Sequence, residues 1–444
     1  MKMIYNVNDK PQFKHLIVFA LQQLLAIIAA TILVPAIVNG AQTNLVMDPA
    51  AALLGAGLGT LVYVFFTQKK SPVFLGSSFA FINPLIGATA FGYWGIIVGA
   101  LFAGGVYVVI AIIIRFTGSK WVNKLLPPVI IGPTVALIGL GLSGSAVANL
   151  VASPNQDYNL IAILCGLTTF AVTVLCAAKG SKAIKLIPFI IGIGAGYVVA
   201  SLFSIVGYAA RIEYLQIVNY QALIDNFSTV RFTSFLDIPK FTFLQKSSAA
   251  LTGTGVGQVA LLFAPVAFVV LAEHIADHKN LGSIIEKDLI TDPGLTRTLL
   301  GDGIGSMVGA FFGGCPNTTY GESIGCVAIT KNASVLSIIG AAVLAIVLSF
   351  FTPVIALINT IPACVLGGIC LALYGFIAVS GLNMLKGVDL NDSDNLFVVS
   401  IILVAGIGGL TLNFGDFTVS GIATALILGI VTNFMLRFKK TKKV

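Results

Sequence analysis

Long apolar runs, each roughly 18 residues or more, recur from one end of the chain to the other and are separated by short polar stretches. That length spans the hydrocarbon core of a bilayer. Examples are "LIVFALQQLLAIIAATILVPAIV" (16–38), "WGIIVGALFAGGVYVVIAIII" (94–114) and "FVVSIILVAGIGGLTL" (397–412). Hydropathy and turn residues together predict about fourteen helical segments, several of them short or interrupted. The fold expected is an all-α polytopic membrane protein.

Composition agrees with the pattern. Of 444 residues, 57% are hydrophobic and 9% are charged, against about 25% charged in ordinary soluble domains. The net charge of +8 does not point to nucleic acid. The basic residues cluster in short loops and in the tail "RFKKTKKV", where membrane orientation accounts for them. The six cysteines, at 165, 176, 315, 326, 364 and 370, lie in or beside apolar runs with no metal-ligand or redox spacing, and read as small packing residues. The N-terminal stretch "MKMIYNVNDKPQFKH" is too polar for a signal peptide.

Loop charge predicts the orientation. The stretches "NGAQTNLVMD" (39–48), "SGSAVANLVASPNQDYN" (143–159) and "NFGDFT" (413–418) contain no Lys or Arg, while the intervening loops carry many, among them Lys69, Lys70, Arg115, Lys182 and Lys386. The positive-inside rule then puts both termini in the cytoplasm of a multi-pass protein of the inner (plasma) membrane, which needs an even number of spans. The long mixed stretch 206–250 reads as an external linker between a first half, 1–205, and a second, 251–444.

The halves share patterns. Pro127 and Gly132 of "LPPVIIGPTVALIGLGLSG" match Pro362 and Gly367 of "IPACVLGGICLALYGFIAVSG" at a separation of 362 − 127 = 235. Ser77, Ser78, Phe79 and Ala80 match Thr318, Thr319, Tyr320 and Gly321 at 318 − 77 = 241: two small hydroxyls, an aromatic and a small residue. A duplication of seven segments, an odd number, requires opposite insertion of the two copies. That gives a 7+7 inverted repeat, a transporter signature with its substrate site at discontinuous helices near the midplane. "LGSSFAFINP" and "GGCPNTTYGES" both look discontinuous, and a broken helix leaves backbone groups that a partner, water or ligand must satisfy. Gly-rich runs such as "LLGAGLGTLVY" (53–63) read as close helix packing.

Two acids stand out. Glu322 lies in the second broken segment, and Glu273 near the end of the apolar run 259–272. An acid inside a span costs about 2.5–3.5 kcal/mol on insertion scales and is a functional hypothesis by default. In "AEHIADHKN" a spacing of four puts Glu273 and Asp277 on one helical stripe and His274 and His278 on the next. Three readings compete. His278 and Lys279 read as a solvated helix end. His274 and His278 could share a metal in an intramembrane enzyme, but the HExxH order is absent, so no metal and no cofactor is expected. Glu273 reads as a proton-coupled ligand carboxylate, with Asp277 and His274 as its neighbours, because a carboxylate in a low-dielectric cavity can load and release a proton near neutral pH.

Together "TILVPA", "FLGSSFAFINP", "AEHIADHKNL" and "EKDLITDPGLTRTLLGDGIGSMVGAFFGGCPNTTYGESIG" resemble the uracil–xanthine permeases, the bacterial side of the nucleobase–ascorbate transporters, and within them the uracil branch. The resemblance runs from about residue 10 to residue 437 and implies fourteen segments arranged as a core and a gate, each built from both repeats. It also implies short extended strands in the third and tenth segments, with the substrate between them beside the eighth. Carried over by motif, Glu273 and Glu322 would hold the base, Phe79 and Gly321 would offer backbone N–H groups, and Ala30, Tyr320 and Tyr374 would line the pocket. The activity implied is proton-coupled import of a nucleobase, with uracil expected and xanthine or another purine as the alternative. The partners expected are the base, a proton, the lipid bilayer and a second copy of the chain in a homodimer. Three positions depart from the family pattern: Asp277 stands where some relatives have His, Gln23 follows Gln22 where many have His, and Ser323 follows Glu322 where Asn is common.

Overall fold

The computed structural model describes residues 3–41, 45–414 and 417–440. The loops predicted at 39–48 and 413–418 and the basic tail at 437–444 fall partly outside the described residues. The first half contains α1 (Phe13–Ala41), α2 (Pro49–Phe66), β1 (Leu75–Ser77), α3 (Ile82–Ala88), α4 (Gly92–Thr117), α5 (Lys120–Leu125), α6 (Pro128–Gly141), α7 (Ser143–Val151), α8 (Leu160–Lys179) and α9 (Pro188–Ala210). A connection holding the short α10 (Gln221–Phe227) follows. The second half contains α11 (Gly253–Ile285), α12 (Leu295–Gly313), β2 (Asn317–Thr319), α13 (Gly321–Thr330), α14 (Val335–Ser349), α15 (Thr352–Ile358), α16 (Ala363–Asn383), α17 (Ser393–Ile407), β3 (Leu412–Phe414), β4 (Phe417–Val419) and α18 (Gly421–Lys440). Among the described residues, eight helical stretches are long and apolar enough to cross a bilayer, and α14, α17 and α18 add shorter apolar helices.

Local chemistry sets several boundaries. The Asp48 carboxylate accepts from Ala50 N at 3.0 Å, with Pro49 opening α2; Asn159 caps α8 through Ile161 N and Ala162 N. Such caps satisfy N–H groups that have no intrahelical acceptor. α9 runs through residues 206–210, so the helical part of the first half reaches further than the linker boundary read from charge.

The two broken segments pair with each other. β1 and β2 form an antiparallel ladder with Leu75 opposite Thr319, Gly76 opposite Thr318 and Ser77 opposite Asn317. The backbone groups freed by interrupting each helix are thus satisfied by the other interruption, which is what removal from water demands. Gly76 has no alternative here: a Cβ would overlap the ring of Tyr320, which lies across it and donates its hydroxyl to Ser77 O at 2.8 Å. The residues predicted as the loop 413–418 instead flank and enter a second ladder, β3 against β4. Phe414, Phe417, Thr418 and Val419 are strand-favouring residues.

Helices group in two sets, each drawn from both halves. α2 and α4 pack on α12, α4 on α11, and α14 on α1 and α2. In the second set α16 packs on α6, α7 and α8, while α17 and α18 pack together and on α6. Small residues permit the closest approaches, as the Gly-rich pattern predicts. A Cβ on Gly55 of α2 would overlap the carbonyl oxygen of Gly309 on α12. Backbone cannot rotate away as a side chain can, so Gly55→Val is expected to exceed the usual overpacking cost of about 1–3 kcal/mol. Size-exclusion chromatography of detergent-extracted protein should show the monodisperse peak largely lost.

Candidate functional site

A cavity of about 690 Å³ lies between the two helix sets, within the range of small-molecule sites. Glu273, Asp277, Gly321, Glu322, Ser380 and Asn383 contribute to its lining. A smaller space of about 50 Å³ shares Glu273, Gly321, Glu322 and Ile377 with it, and there the two glutamates meet Phe79, Thr318 and Tyr320. No Lys or Arg lines either space. A separate crevice of about 590 Å³ between α1, α9, α14 and α15 has only apolar side chains around it and offers nothing to hold a polar ligand.

Helical periodicity explains how α11 supplies the acids. Glu273, Asp277 and Asn280, at i, i+4 and i+7, share one face and line the cavity. Thr319 Oγ1, at the end of β2, donates to Asp277 Oδ2 at 2.7 Å and ties that carboxylate to the ladder. Glu322 lies in the first turn of α13, where the helix dipole favours a negative charge. The N–H of Gly321 opens the same helix and has no intrahelical acceptor.

Comparison with known proteins completes the description. Residues 14–414 match the family described as "Permease family" (Xan_ur_permease). The uracil permease of Bacillus caldolyticus is 39% identical over 98% of this chain and 95% of its own length. The uracil permease of Bacillus subtilis strain 168 is also 39% identical, over 98% and 95%, and that of Escherichia coli K12 is 35% identical over 96% and 92%. The chain belongs to this permease family. The permease shares its fold with more distant transporters. The transmembrane domain of a cyanobacterium bicarbonate transporter, BicA, aligns over 96% of the permease and 100% of its own chain, at 14% identity and a TM-score of 0.60. The murine anion transporter Slc26a9, in its inward-facing state, aligns over 98% and 70%, at 10% and 0.65.

Of the residues singled out in the sequence, Glu273, Glu322, Phe79, Tyr320 and Gly321 converge on the smaller space, and Asp277 joins Glu273, Glu322 and Gly321 on the larger. Tyr374 lies one layer out, its ring edge-on to Phe79 with centroids 6.1 Å apart. Ala30 is fully buried in α1 and lines neither space. His274 turns away from the cavity. Its Nδ1 lies 2.6 Å from Asp302 Oδ2 and its Nε2 3.0 Å from Thr298 Oγ1, and both His274 and Asp302 are fully buried.

His278 corrects the sequence reading. Rather than marking a solvated helix end, it is fully buried, with Nδ1 2.7 Å from His274 O and Nε2 2.6 Å from the Tyr63 hydroxyl, which also bonds Ser71 Oγ at 2.7 Å. The physical reason is helix length: α11 continues to Ile285, so residue 278 faces protein while Lys279 and Asn280, next along the helix, are exposed. All four ring nitrogens of the two histidines are therefore engaged, and membership of a family of permeases, which are transporters, displaces the intramembrane metal enzyme weighed above. Sequence reasoning missed Asp302, Thr298 and Tyr63. Asp302 had a signal, as the one acid within "TLLGDGIGSMVGAFF"; Thr298 and Tyr63 had none, because a single hydroxyl in an apolar run is ordinary.

Proposed function

We propose that the permease imports uracil together with a proton across the cytoplasmic membrane, by alternating access between its two helix sets. The observation that carries this reading is the convergence of Glu273 and Glu322 on one cavity beside the first N–H groups of α13. Uracil has ring N–H groups and carbonyl oxygens along its edge. The carboxylates accept from the N–H groups, in the stronger, charge-assisted class of hydrogen bond, and free backbone N–H groups donate to the carbonyl oxygens. In this reading the rings of Phe79 and Tyr320, which line the smaller space, flank the flat base. Relatives named uracil permease, 35–39% identical over nearly the whole chain, support the same base.

Three acids with no Lys or Arg in the lining oppose an anionic cargo. In the proposed cycle a proton from outside neutralises the Glu273 region, uracil binds, and the set containing α11–α14 moves as a core against the set containing α16–α18. The fourteen segments of the 7+7 inverted repeat are then α1, α2, β1–α3, α4, α6–α7, α8 and α9, followed by α11, α12, β2–α13, α14, α16, α17 and α18. With both termini inside, the end of the cavity bearing Asn280, Asn383 and Met384 faces the cytoplasm.

Proteoliposomes are expected to accumulate labelled uracil under an inward proton gradient and to lose that accumulation on adding a protonophore. Uptake indifferent to the gradient would remove the coupling. A thermal-shift screen against uracil, thymine, xanthine, hypoxanthine and urate should respond first to uracil; stabilisation by xanthine alone would replace the pyrimidine by a purine.

A further inference from the structure

The ladder between β1 and β2 does not stop at its last paired residues. One step beyond the Leu75–Thr319 pair, Tyr320 N still donates to Phe74 O at 3.3 Å. There the second chain turns into α13, and Phe74 N would lose its acceptor. The Ser323 hydroxyl takes that place, accepting from Phe74 N at 3.0 Å. The same oxygen accepts from Gln23 Nε2, which reaches it from α1. A hydroxyl oxygen has two acceptor sites, and both are filled. All of this is buried: Ser323 is 0% and Gln23 3% exposed.

The junction bears on ligand contact because of its place in the helix. Glu322 precedes Ser323, and successive residues on a helix point about 100° apart. Holding Ser323 against both the strand and α1 therefore fixes the rotation of α13 about its axis, and with it the direction in which Glu322 enters the cavity. The N-cap, Tyr320, makes no side-chain capping bond; its hydroxyl goes to Ser77 O, at the far end of its ring, while Ser323 ties the helix itself.

We propose that Gln23 and Ser323 are positioning residues for ligand recognition: together they set the position of the Glu322 carboxylate relative to the ladder and so control affinity for the base. This rests on the uracil reading above. The test measures binding of labelled uracil to purified protein alongside its melting temperature. Ser323→Ala and Gln23→Leu should each weaken binding about tenfold, the scale of one misdirected charge-assisted hydrogen bond, with the melting temperature little changed. Because both act through one oxygen, the double variant should bind no more weakly than Ser323→Ala alone. Ser323→Thr keeps the hydroxyl and should restore wild-type affinity. Unchanged affinity in Gln23→Leu and Ser323→Ala, or losses that add in the double variant, would overturn the inference. If Ser323→Ala does not fold, Gln23→Leu and Ser323→Thr decide it by the same affinity readings. A wild type that binds another base of the screen refutes the uracil reading alone, and the variants are then read on that base; a wild type that binds none refutes both.

Discussion

Glu273→Gln permease in proteoliposomes should fail to accumulate uracil. The substitution keeps the shape of the side chain but places an NH₂ group where the carboxylate faces both the large and the small space. Only one acceptor oxygen is then left for the ring N–H groups of the proposed ligand, the charge that strengthens the contact is lost, and the proposed proton carrier is gone. Truncating one partner of a buried, hydrogen-bonded charged contact costs about 2–5 kcal/mol, which is about 30-fold to several-thousand-fold in affinity. Lys279→Gln serves as the control, since Lys279 is exposed and lines neither space. Binding of uracil by purified Glu273→Gln with wild-type affinity would take this residue out of the ligand set, even if transport were lost.

A second large effect is expected behind the site. Removing His274 leaves Asp302 fully buried, with Oδ2 stripped of its partner and Oδ1 without one already. Leaving one side of a buried hydrogen-bonded pair without its partner destabilises by about 1–3 kcal/mol, whereas replacing both sides with apolar groups is often nearly neutral or better. His274→Leu should therefore melt well below wild type in detergent. The double variant His274→Leu with Asp302→Leu should recover much of that loss. A double variant that melts lower than His274→Leu would mean that the polar pair itself, rather than its disruption, governs the packing of α11 on α12.

Much of the site was legible because helical spacing and charge are local signals. The i, i+4 spacing of Glu273 and Asp277 led directly to a cavity-lining face, and Gly, Pro and hydroxyl residues marked both interruptions. Partnership across the fold was not legible. Ser77 and Thr318 read as equivalent positions in two repeats, but no sequence feature says that the strands holding them pair face to face. Gln23 and Ser323 each read as an isolated departure from a family pattern, and only packing of α1 on α13 joins them in one bond. His278 was misread because its charge pattern resembles a helix end, while its burial depends on α2 and the Tyr63 hydroxyl, far away in sequence.

The ladder also has a consequence for biogenesis. Gly76 and Thr318 are 318 − 76 = 242 residues apart yet opposite each other. At about 5–20 residues per second, the ribosome takes roughly 12–50 s to make that interval. Throughout it the strand edge at Leu75–Ser77 lacks its partner, and an unpaired edge cannot rest in hydrocarbon. The first half therefore has to wait, sheltered by insertion machinery or by its own neighbours, and the candidate site cannot form before the nascent chain has passed Glu322.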